Sequence, residues 1–560
     1  MIHANRLILP ALGLSTLFAG SALASEGLLG LQPRAGAPLP GLTDAEMALF
    51  AEGRVLYTTP LSPEDGLGPI FNKSNCQSCH STPVGGWGNI AVTHFGFEDK
   101  GVFENLEPLG GPLLQTQTTS VGCGEFVPGE ANVVIVRVTN SSMAFGMIEA
   151  IPDAAIAANE DPQDLDGDGI SGRVHWVRPL EAPPKSPLRA GRFGWKAQVA
   201  TVLTFSADAS RNEMGLTNRL LPTENAPNGD YERLAACDPV ADPEDLADEE
   251  GYEFIDRVTH FQRYLSPPPQ TPRSGMTGET IFAAVGCTAC HVPEWTTSND
   301  PALEAAIRGK TIRPYSDFLL HDMGLLADGF PEGDASGLEM RTPVLWNLRM
   351  RDPMLHDGSA AGGTFEDRVT AAIEAHGPFG EGAASAAAFA ALPSEEKAQL
   401  VAFLGSLGRL EFDFEVNFKV DLGDFPPFKA CFDAGGTVTP DDPCAVGDLD
   451  QDGDTDLVDF EYFRLAYERD GGVDGDCNGD GVSDLETILL GLADDRDGDG
   501  VPDQCAACAG DLNTDGVVNG VDLGIVLAGW GNPGIADLNF DGVVNGVDLG
   551  IVLAAWGSCP

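Results

Sequence analysis

The sequence contains two Cys-x-x-Cys-His motifs, and this feature constrains the fold more than any other. Each motif can attach a haem through two thioether bonds, and the adjacent histidine can then bind the iron. The alternative is a zinc site or a redox dithiol. A redox dithiol needs no following histidine, however, and zinc needs further ligands nearby. We therefore predict two covalently bound haem c groups. The residues that would hold them are Cys76, Cys79 and His80 in the first motif and Cys287, Cys290 and His291 in the second.

The N-terminus predicts export. Arg6 precedes an apolar run from Leu7 to Ala19, and an Ala-Leu-Ala sequence follows at residues 22–24. This arrangement is typical of a cleaved signal peptide, here residues 1–24, because the apolar run is shorter than the roughly 20 residues that span a bilayer. An anchor helix is the alternative. We expect a mature chain without a membrane span that is periplasmic, cell-surface or secreted, where disulfides are stable.

Eight cysteines lie outside the two motifs, and an even number in an exported chain indicates disulfides. We favour a Cys123–Cys237 bond and place the remaining bonds in the C-terminal region, although spacing alone does not determine the pairing. Cys505 and Cys508 also have the Cys-x-x-Cys spacing, but no histidine follows them, so we expect no third haem there. The eight are Cys123, Cys237, Cys431, Cys444, Cys477, Cys505, Cys508 and Cys559.

Negative charge is concentrated in the C-terminal quarter of the chain. The formal net charge is −53, and residues 413–560 hold 32 acidic and 5 basic side chains. Such a chain is excluded from the usual modes of binding nucleic acid or an anionic membrane, because both need a basic face. The change in charge predicts a domain boundary near residue 410.

The acidic residues near the C-terminus recur at the spacing of calcium loops. Oxygen-bearing side chains occupy positions 1, 3, 5, 9 and 12 of a loop that begins at Asp511, with Gly516 at position 6, and the pattern returns 26 residues later. Calcium binds about six to eight oxygens, and glycine at position 6 allows the sharp turn. Each loop precedes the same apolar stretch, so the pair resembles a type I dockerin module. The predicted ligands are Asp511, Asn513, Asp515, Asn519 and Asp522, then Asp537, Asn539, Asp541, Asn545 and Asp548.

A further acidic loop lies upstream of this pair. Its predicted calcium ligands are Asp448, Asp450, Asp452, Asp454, Asp456 and Asp459. Residues 476–481 and 495–503 resemble thrombospondin type 3 repeats. Residues 413–424 follow the loop spacing too, but Phe418 replaces the turn glycine, so we expect this copy to bind weakly or not at all.

These loops suggest a tail that folds with calcium, because so many carboxylates at close range repel each other without a cation. A flexible acidic spacer with incidental Asp-x-Asp patterns is the alternative. We expect a calcium-dependent adhesion or assembly module with a cell-surface or cohesin-like partner.

Several segments between the motifs and after them resemble the di-haem oxidoreductase family, relatives of the bacterial di-haem cytochrome c peroxidases. The similarity extends over residues from about 40 to about 410 and includes both haem motifs in order. The segments that carry it are Phe145–Pro152, Asp166–Arg173, Gly191–Ala197, Glu213–Gly215, Leu320–Gly324, Arg341–Trp346 and Leu355–Gly358.

The resemblance implies a mainly α fold with two cytochrome c-like haem domains and loop-rich insertions, followed by the small helical calcium-loop tail. We place the N-terminal haem domain at residues 25–275 and the C-terminal haem domain at 276–412. The acidic calcium-loop repeats then occupy residues 413–508, and the dockerin-like pair occupies 509–560.

The resemblance also implies roles for two histidines near the C-terminal haem. His376 matches the position that binds the iron opposite His291, and this haem would serve electron transfer. His356 matches a histidine that neighbours the same haem. The alternative is that His376 is an ordinary surface helix residue. Asp164, Asp166 and Asp168 have calcium-like spacing where the peroxidases hold an ion between their haem domains, or they form an ordinary Asp-Gly turn.

Three further residues match reactive positions at the N-terminal haem. His94 lies near the position of a removable iron ligand, Trp195 matches a tryptophan that relays electrons, and Glu213 matches a glutamate that handles peroxide protons. The alternatives are a strand histidine for His94 and a core tryptophan for Trp195. The peroxidases also carry a glutamine between the tryptophan and the glutamate, and residues 199–211 contain none.

Two functions follow as hypotheses. The first is a peroxidase-like oxidoreductase in which the C-terminal haem takes electrons from a small exported cytochrome or copper protein and the N-terminal haem reduces the substrate. The alternative is a non-catalytic di-haem electron-transfer cytochrome c with both irons six-coordinate. The absence of glutamine from residues 199–211 and the many histidines favour the alternative.

Overall fold

The computed structural model describes residues 30–558 apart from 239, 241–242, 273–274, 378, 497, 504–509, 514 and 540. The predicted signal peptide, Cys505, Cys508 and Cys559 lie outside the described residues. In the part of the chain that is described, none of the helices combines the length and the apolar character that a membrane span requires.

The architecture consists of helices, which hold 34% of the chain, and small sheets joined by loops. The α-helices in the described residues are α1 (Asp44–Thr58), α2 (Phe145–Glu149), α3 (Asp153–Ala157), α4 (Val202–Met214), α5 (Tyr231–Cys237), α6 (Phe254–Arg263), α7 (Thr277–Ala284), α8 (Phe365–Glu374), α9 (Ala383–Ala391), α10 (Ser394–Ser406), α11 (Phe425–Ala434), α12 (Leu457–Arg469), α13 (Asp484–Leu489), α14 (Gly520–Gly529) and α15 (Gly546–Ala554).

The strands form one three-stranded sheet and several two-stranded sheets, all antiparallel. The strands are β1 (Ile70–Phe71), β2 (Ala91–Asp99), β3 (Val102–Glu104), β4 (Gln117–Thr118), β5 (Val133–Val138), β6 (Trp176–Val177), β7 (Arg189–Ala190), β8 (Trp295–Thr296), β9 (Thr311–Ile312), β10 (Leu320–Asp322), β11 (Glu339–Arg341), β12 (Val517–Val518) and β13 (Gly557–Ser558). The larger sheet has the order β3-β2-β5, and the pairs are β1-β4, β6-β7, β8-β9, β10-β11 and β12-β13.

The helix before the first haem motif crosses a later helix. Helix α1 begins with a capping box at Thr43, and its buried Phe50 and Tyr57 pack against Phe261 of α6 at ring-centroid distances of 5.2 and 4.7 Å. Gly53 lies at the crossing, where a Cβ atom would be only 2.1 Å from the carbonyl oxygen of Arg257. The close approach therefore requires glycine, and it buries aromatic area worth about 1.5–3 kcal/mol per side chain.

The helix before the second motif makes an equivalent crossing. Helix α7 packs on α10, and a Cβ atom at Gly278 would be 2.1 Å from the carbonyl oxygen of Gln399. Phe282 and Phe403 meet there at 5.6 Å between ring centroids. Each haem motif thus follows a helix that is held by a glycine-mediated crossing.

The buried core around α1 and α6 also contains residues that follow the second motif. Trp295, Phe318 and Trp346 belong to the same cluster as Phe50 and Phe261. The two motif-bearing regions are therefore packed together rather than joined only by a linker.

The acidic region has cores of its own. Helices α11, α12 and α13 bury a cluster that includes Phe428, Phe463 and Leu485, and Leu31 packs against it. Helices α14 and α15 share a smaller cluster centred on Val526 and Val552. A salt bridge between Arg34 and Asp470 ties the first of these units to the N-terminal segment.

Two disulfides have both of their cysteines in the described residues. The predicted Cys123–Cys237 bond is confirmed, and the bond Cys431–Cys444 lies within the acidic region as expected. Cys477 is disulfide-bonded as well.

Candidate active site

The first motif forms a 3₁₀ turn after the end of α1. The Asn75 side chain accepts a hydrogen bond from the Ser78 backbone N–H at 2.9 Å and donates to the Thr58 carbonyl at 2.8 Å, which fixes the turn to the helix. The Cys76 and Cys79 thiols are not disulfide-bonded. Burial raises the pKa of Cys76 to about 12, so the thiol is neutral, unlike the thiolate of a redox dithiol.

His80 is oriented by the loop that follows it. Its Nδ1 lies 3.2 Å from the Gly86 carbonyl oxygen, and burial lowers the pKa of the imidazole to about 4. A histidine that donates one ring N–H to a carbonyl presents the other nitrogen as a basic metal ligand. The arrangement fits an iron ligand.

The first motif opens into a cavity of about 1130 Å³. His80, His94, Trp195 and Glu213 all line this cavity, so the structure brings together the residues that the sequence assigns to the N-terminal haem. The cavity is large enough for a prosthetic group and a small substrate beside it.

The second motif repeats the geometry of the first. A 3₁₀ turn begins after Gly286, and His291 directs Nδ1 to the Tyr315 carbonyl oxygen at 2.9 Å. The Cys287 and Cys290 thiols are not disulfide-bonded, and burial raises the pKa of Cys287 to about 12. Two neutral thiols and one oriented imidazole again fit covalent haem attachment.

The second cavity is smaller, about 170 Å³, and its lining is largely apolar. His291 and His376 both line it. The ring of His376 points Nδ1 at the Ala372 carbonyl at 2.8 Å, and burial lowers the pKa of this histidine. The structure therefore does not place His376 on the protein surface.

Trp195 lines both cavities. Its indole Nε1–H donates to the Val138 carbonyl at 2.9 Å, and the ring centroid lies 6.0 Å from that of His356. His356 lines the second cavity. The Trp195 side chain thus borders both the space around the first motif and the space around the second.

Glu213 lies in the last turn of α4, where it is half-buried and lines the first cavity. Asn72 holds it twice, because the Asn72 amide donates to Glu213 Oε2 at 2.9 Å and its backbone N–H donates to the Glu213 carbonyl at 2.7 Å. Burial raises the pKa of Glu213 to about 7, against the lowering effect of the Asn72 bond. The carboxyl group can therefore exist in both protonation states near neutral pH.

Glycine fixes the end of the helix that carries Glu213. Gly215 ends α4 in the left-handed region at φ +69°, and a Cβ atom there would be 2.7 Å from the Ile70 carbonyl oxygen. A larger residue would displace the Asn72 segment that holds the glutamate.

His94 lies on β2, paired in register with Ile135, and its imidazole faces the first cavity. Nδ1 is buried and has no hydrogen-bond partner in the described residues. Burial and the nearby Arg137 lower the pKa to about 3, so the ring is neutral. A neutral imidazole with an unsatisfied nitrogen is suited to binding a metal.

Other residues at the first cavity were not predicted. Gln198 lies between Trp195 and Glu213, one position before the segment in which the sequence shows no glutamine, and it lines the cavity. Asp208, one turn before Glu213, also lines it, and burial raises its pKa to about 6. Only the folded chain shows that they face the same space.

His321 is held by two acidic residues beside the second motif. Its Nε2 lies 2.8 Å from Asp317 Oδ2 and its Nδ1 lies 2.7 Å from Glu381 Oε2. Burial alone would lower the pKa of His321, but the hydrogen bonds that the imidazole makes to these carboxylates raise it. Both nitrogens are thus engaged, which leaves His376 better suited as an iron ligand.

The predicted calcium ligands meet at several places. Carboxylate oxygens lie within 4.8 Å of one another in three groups, of which one belongs to the predicted site at residues 164–168 and two belong to the predicted loop at residues 448–459. The groups are Asp164, Asp166 and Asp168; Asp448, Asp450 and Asp459; and Asp454, Asp456 and Asp459.

The two dockerin-like loops have the same backbone arrangement. The first aspartate of each loop accepts from the backbone N–H groups of positions 5 and 6, at 3.1 and 2.7 Å for Asp511 and 3.1 and 2.8 Å for Asp537. The last aspartates, Asp522 and Asp548, are fully buried at the start of α14 and α15. Residues 413–424 form a similar turn with Phe418 at φ +73°, and Lys419 Nζ lies 2.6 Å from Asp421.

Comparison with known proteins identifies the family. The family model described as "Di-haem oxidoreductase, putative peroxidase" matches residues 128–407, which is half of the chain. The match includes Trp195, Glu213 and the second haem motif, and the first motif precedes it. No curated protein sequence matches the chain.

Two solved structures show low overall similarity. Hydrazine synthase from Kuenenia stuttgartiensis is 13% identical, with 72% of this chain and 100% of that chain covered and a TM-score of 0.29. A MauG-like protein associated with microbial copper homeostasis is 17% identical, with 68% and 94% covered and a TM-score of 0.30. The assignment therefore rests on the family match: the chain belongs to the di-haem oxidoreductase family.

Proposed function

We propose that the protein is an exported di-haem c-type oxidoreductase that reduces a peroxide at its N-terminal haem with electrons received through its C-terminal haem. One observation carries the proposal. Trp195 lines both cavities, and each cavity also contains a Cys-x-x-Cys-His motif. A small exported cytochrome or copper protein would supply the electrons.

The residues of the two motifs fit haem c. Cys76 and Cys79 would attach the first group and Cys287 and Cys290 the second, with His80 and His291 as iron ligands. When bound, the two haems supply reversible one-electron chemistry. The paired glycine-mediated helix crossings support two cytochrome c-like domains, although the two domains would share a packed interface.

Two histidines at the second cavity support an electron-transfer role for the C-terminal haem. His376 would be a second iron ligand beside His291, since its Nδ1 is satisfied by the Ala372 carbonyl and both histidines line the same cavity. His356 would position Trp195, because the two rings meet edge to face. Trp195 would carry electrons between the two sites. Its indole N–H would stay bonded to the Val138 carbonyl, which is too weak a base to remove the indole proton.

Glu213 would handle the protons of the peroxide. Its ionised form can take a proton from one peroxide oxygen and return it to the other as the oxygen–oxygen bond breaks. Two electrons and two further protons then complete the reduction of hydrogen peroxide to two water molecules. Gln198 offers the amide that the sequence comparison found missing from residues 199–211.

His94 decides between the two candidate functions. If His94 is a removable ligand, a peroxide can reach the N-terminal iron. If His94 binds the iron permanently, both haems are six-coordinate and the protein is a non-catalytic electron-transfer cytochrome. The unsatisfied, neutral His94 imidazole in the first cavity is the observation that favours this second candidate.

The acidic tail would form a calcium-ordered adhesion or assembly module. The repeated backbone geometry of the two dockerin-like loops and the two carboxylate clusters at residues 448–459 support calcium binding. A cell-surface or cohesin-like protein would be the partner. Pull-down of partners with calcium and with a chelator tests this role, and binding that is unchanged in chelator would contradict it.

Electron paramagnetic resonance with cyanide tests the enzymatic proposal. We expect the C-terminal haem to be low spin, with two histidine ligands, and not to bind cyanide. The N-terminal haem should bind cyanide in the oxidised state or after one-electron reduction. Two low-spin haems that remain inert in both states would support the carrier instead.

A further inference from the structure

Two buried arginines line the second cavity. Arg341 and Arg351 are each 6% exposed, and both face the space that contains His291 and His376. Arg341 donates from Nε to the Gly194 carbonyl at 2.7 Å and from a terminal nitrogen to the Thr342 carbonyl at 2.7 Å. The guanidinium carbon of Arg351 lies 3.2 Å from the ring centroid of Trp87.

Neither arginine has an anionic partner in the described part of the chain. No carboxylate pairs with Arg341, and its guanidinium bonds only to backbone carbonyls. The guanidinium of Arg351 has no hydrogen bond or ion pair among the described residues. Asp317 is the acidic group whose charge acts on Arg341, but His321 and the Leu319 N–H already occupy its oxygens.

Two other buried arginines in the described residues are compensated by carboxylates. Arg137 pairs with Asp328 and Glu332, and Arg192 pairs with Asp153. A buried charge without a partner of opposite sign is strongly unfavourable. Two such charges lining one cavity favour an anionic group in that cavity.

We propose that Arg341 and Arg351 form a carboxylate-binding site for the propionate groups of the haem in the second cavity. The inference rests on the proposed function, because it requires a haem at Cys287 and Cys290. The rest of the cavity lining is largely apolar, which suits the ring of a haem, and the propionates are the anionic groups that such a ring carries. Guanidinium groups match carboxylates with two parallel hydrogen bonds.

The site is connected to both haem regions. Arg341 binds the Gly194 carbonyl with its side chain and the Trp195 carbonyl with its backbone N–H. Arg351 stacks on Trp87, which follows Gly86, the residue whose carbonyl orients His80. The haem propionates would therefore bind next to the backbone that positions Trp195.

The inference predicts how the reduction potential of the second haem depends on pH. Two guanidinium groups keep the propionates ionised between pH 5 and 8, so their charge does not change in this range. Without one guanidinium, a buried propionate takes up a proton as the pH falls, and the loss of its negative charge raises the potential. Loss of the arginine charge also lowers the potential at high pH, because a nearby cation favours the reduced haem.

The other titratable groups at this cavity are the same in the wild-type protein and in the Arg351 variants. They are the histidines 291, 321, 356 and 376, with Asp317 and Glu381 behind His321. Any pH dependence that they cause is present in the wild-type protein and in the variants alike.

Spectroelectrochemical titration of the matured full-length protein tests the inference. Arg351→Gln should lower the potential of the second haem at pH 8 and give it a pH dependence that the wild type lacks between pH 5 and 8. Arg351→Lys should keep a nearly flat profile. Arg349→Gln is the matched control, because this partly buried arginine stacks on Phe418 outside the cavity and should leave the potential unchanged.

The outcomes that contradict the propionate site differ from the outcome that contradicts the proposed function. If Arg351→Gln binds two haems and has the wild-type potential and pH profile, the propionate site is wrong. If chloride or phosphate shifts the wild-type potential, a free anion occupies the site and the propionate assignment is again wrong. If the wild type has no haem at Cys287 and Cys290, the proposed function fails instead.

Infrared difference spectra of the wild type provide a test that needs no variant. With carbon-13 in the haem propionates, we expect ionised carboxylate bands and no protonated carboxyl band at pH 5. A labelled protonated band at pH 5 would overturn the inference even if Arg351→Gln failed to mature.

Discussion

The rings of Trp195 and His356 lie 6.0 Å apart, edge to face, in the wall between the two haem cavities. Val138 connects them, because its carbonyl accepts from the Trp195 indole at 2.9 Å and its N–H donates to the His356 carbonyl at 2.7 Å. Trp195, the proposed electron relay, is thus fixed in position by a hydrogen bond and by packing, and we expect a substitution there to affect electron exchange more than stability.

Trp195→Phe should slow electron equilibration between the haems by about tenfold or more, which corresponds to about 1.4 kcal/mol in activation free energy. Phenylalanine keeps most of the ring packing but is far harder to oxidise. Flash reduction followed by absorption changes at both haems measures the rate. Trp176→Phe, at a partly exposed position in β6, is the control, and a wild-type rate in Trp195→Phe would show that electrons take another route.

Glu213→Gln should reduce the peroxide turnover rate by about 10²- to 10⁴-fold, the usual contribution of a positioned acid–base group. Because burial raises the pKa of Glu213 to about 7, the ionised form that accepts a proton increases as the pH rises through that value. The wild-type rate should therefore rise through about pH 7, and the variant should lose this rise. Glu232→Gln, on an exposed part of α5, is the control; a retained rise in Glu213→Gln would assign the titration to another group.

His376→Ala should convert the second haem from low spin to high spin, because it removes the second iron ligand. Electron paramagnetic resonance of the oxidised protein measures the change. His260→Ala is the control, since His260 packs between Tyr252 and Tyr264 away from both cavities. An unchanged low-spin signal in His376→Ala would show that another residue binds the iron.

Calcium should stabilise the C-terminal tail. At a free concentration about 100 times the dissociation constant, one site adds about 2.7 kcal/mol to the free energy of unfolding. Asp522→Asn and Asp548→Asn should weaken this effect in limited proteolysis with and without a chelator, whereas Asp433→Asn on exposed α11 should not. Equal proteolysis rates in calcium and in chelator would contradict the calcium assignment.

Local patterns predicted much of the site. The haem motifs and the calcium loops each lie within a few consecutive residues, so short-range spacing is enough to recognise them. The family resemblance, confirmed by the match over residues 128–407, also predicted Trp195 and Glu213, which the structure places at one cavity.

Long-range relationships could not be predicted in this way. Trp195 and His356 are 161 positions apart in the sequence, and nothing local indicates that their rings meet. Arg341 belongs to a segment that carries the family resemblance, but only the fold shows that it and Arg351 line one cavity without a carboxylate partner in the described residues. Gln198 was missed for a simpler reason, because it precedes by one position the segment that was compared with the peroxidases.

Haem content of the matured protein tests the central claim most directly. Intact-mass measurement and the absorption spectrum of the pyridine complex should give two haems per chain, with the added mass on peptides that contain Cys76 and Cys79 and on peptides that contain Cys287 and Cys290. A mature chain with unmodified thiols at these positions would contradict the account, and a single haem would remove the electron path through Trp195.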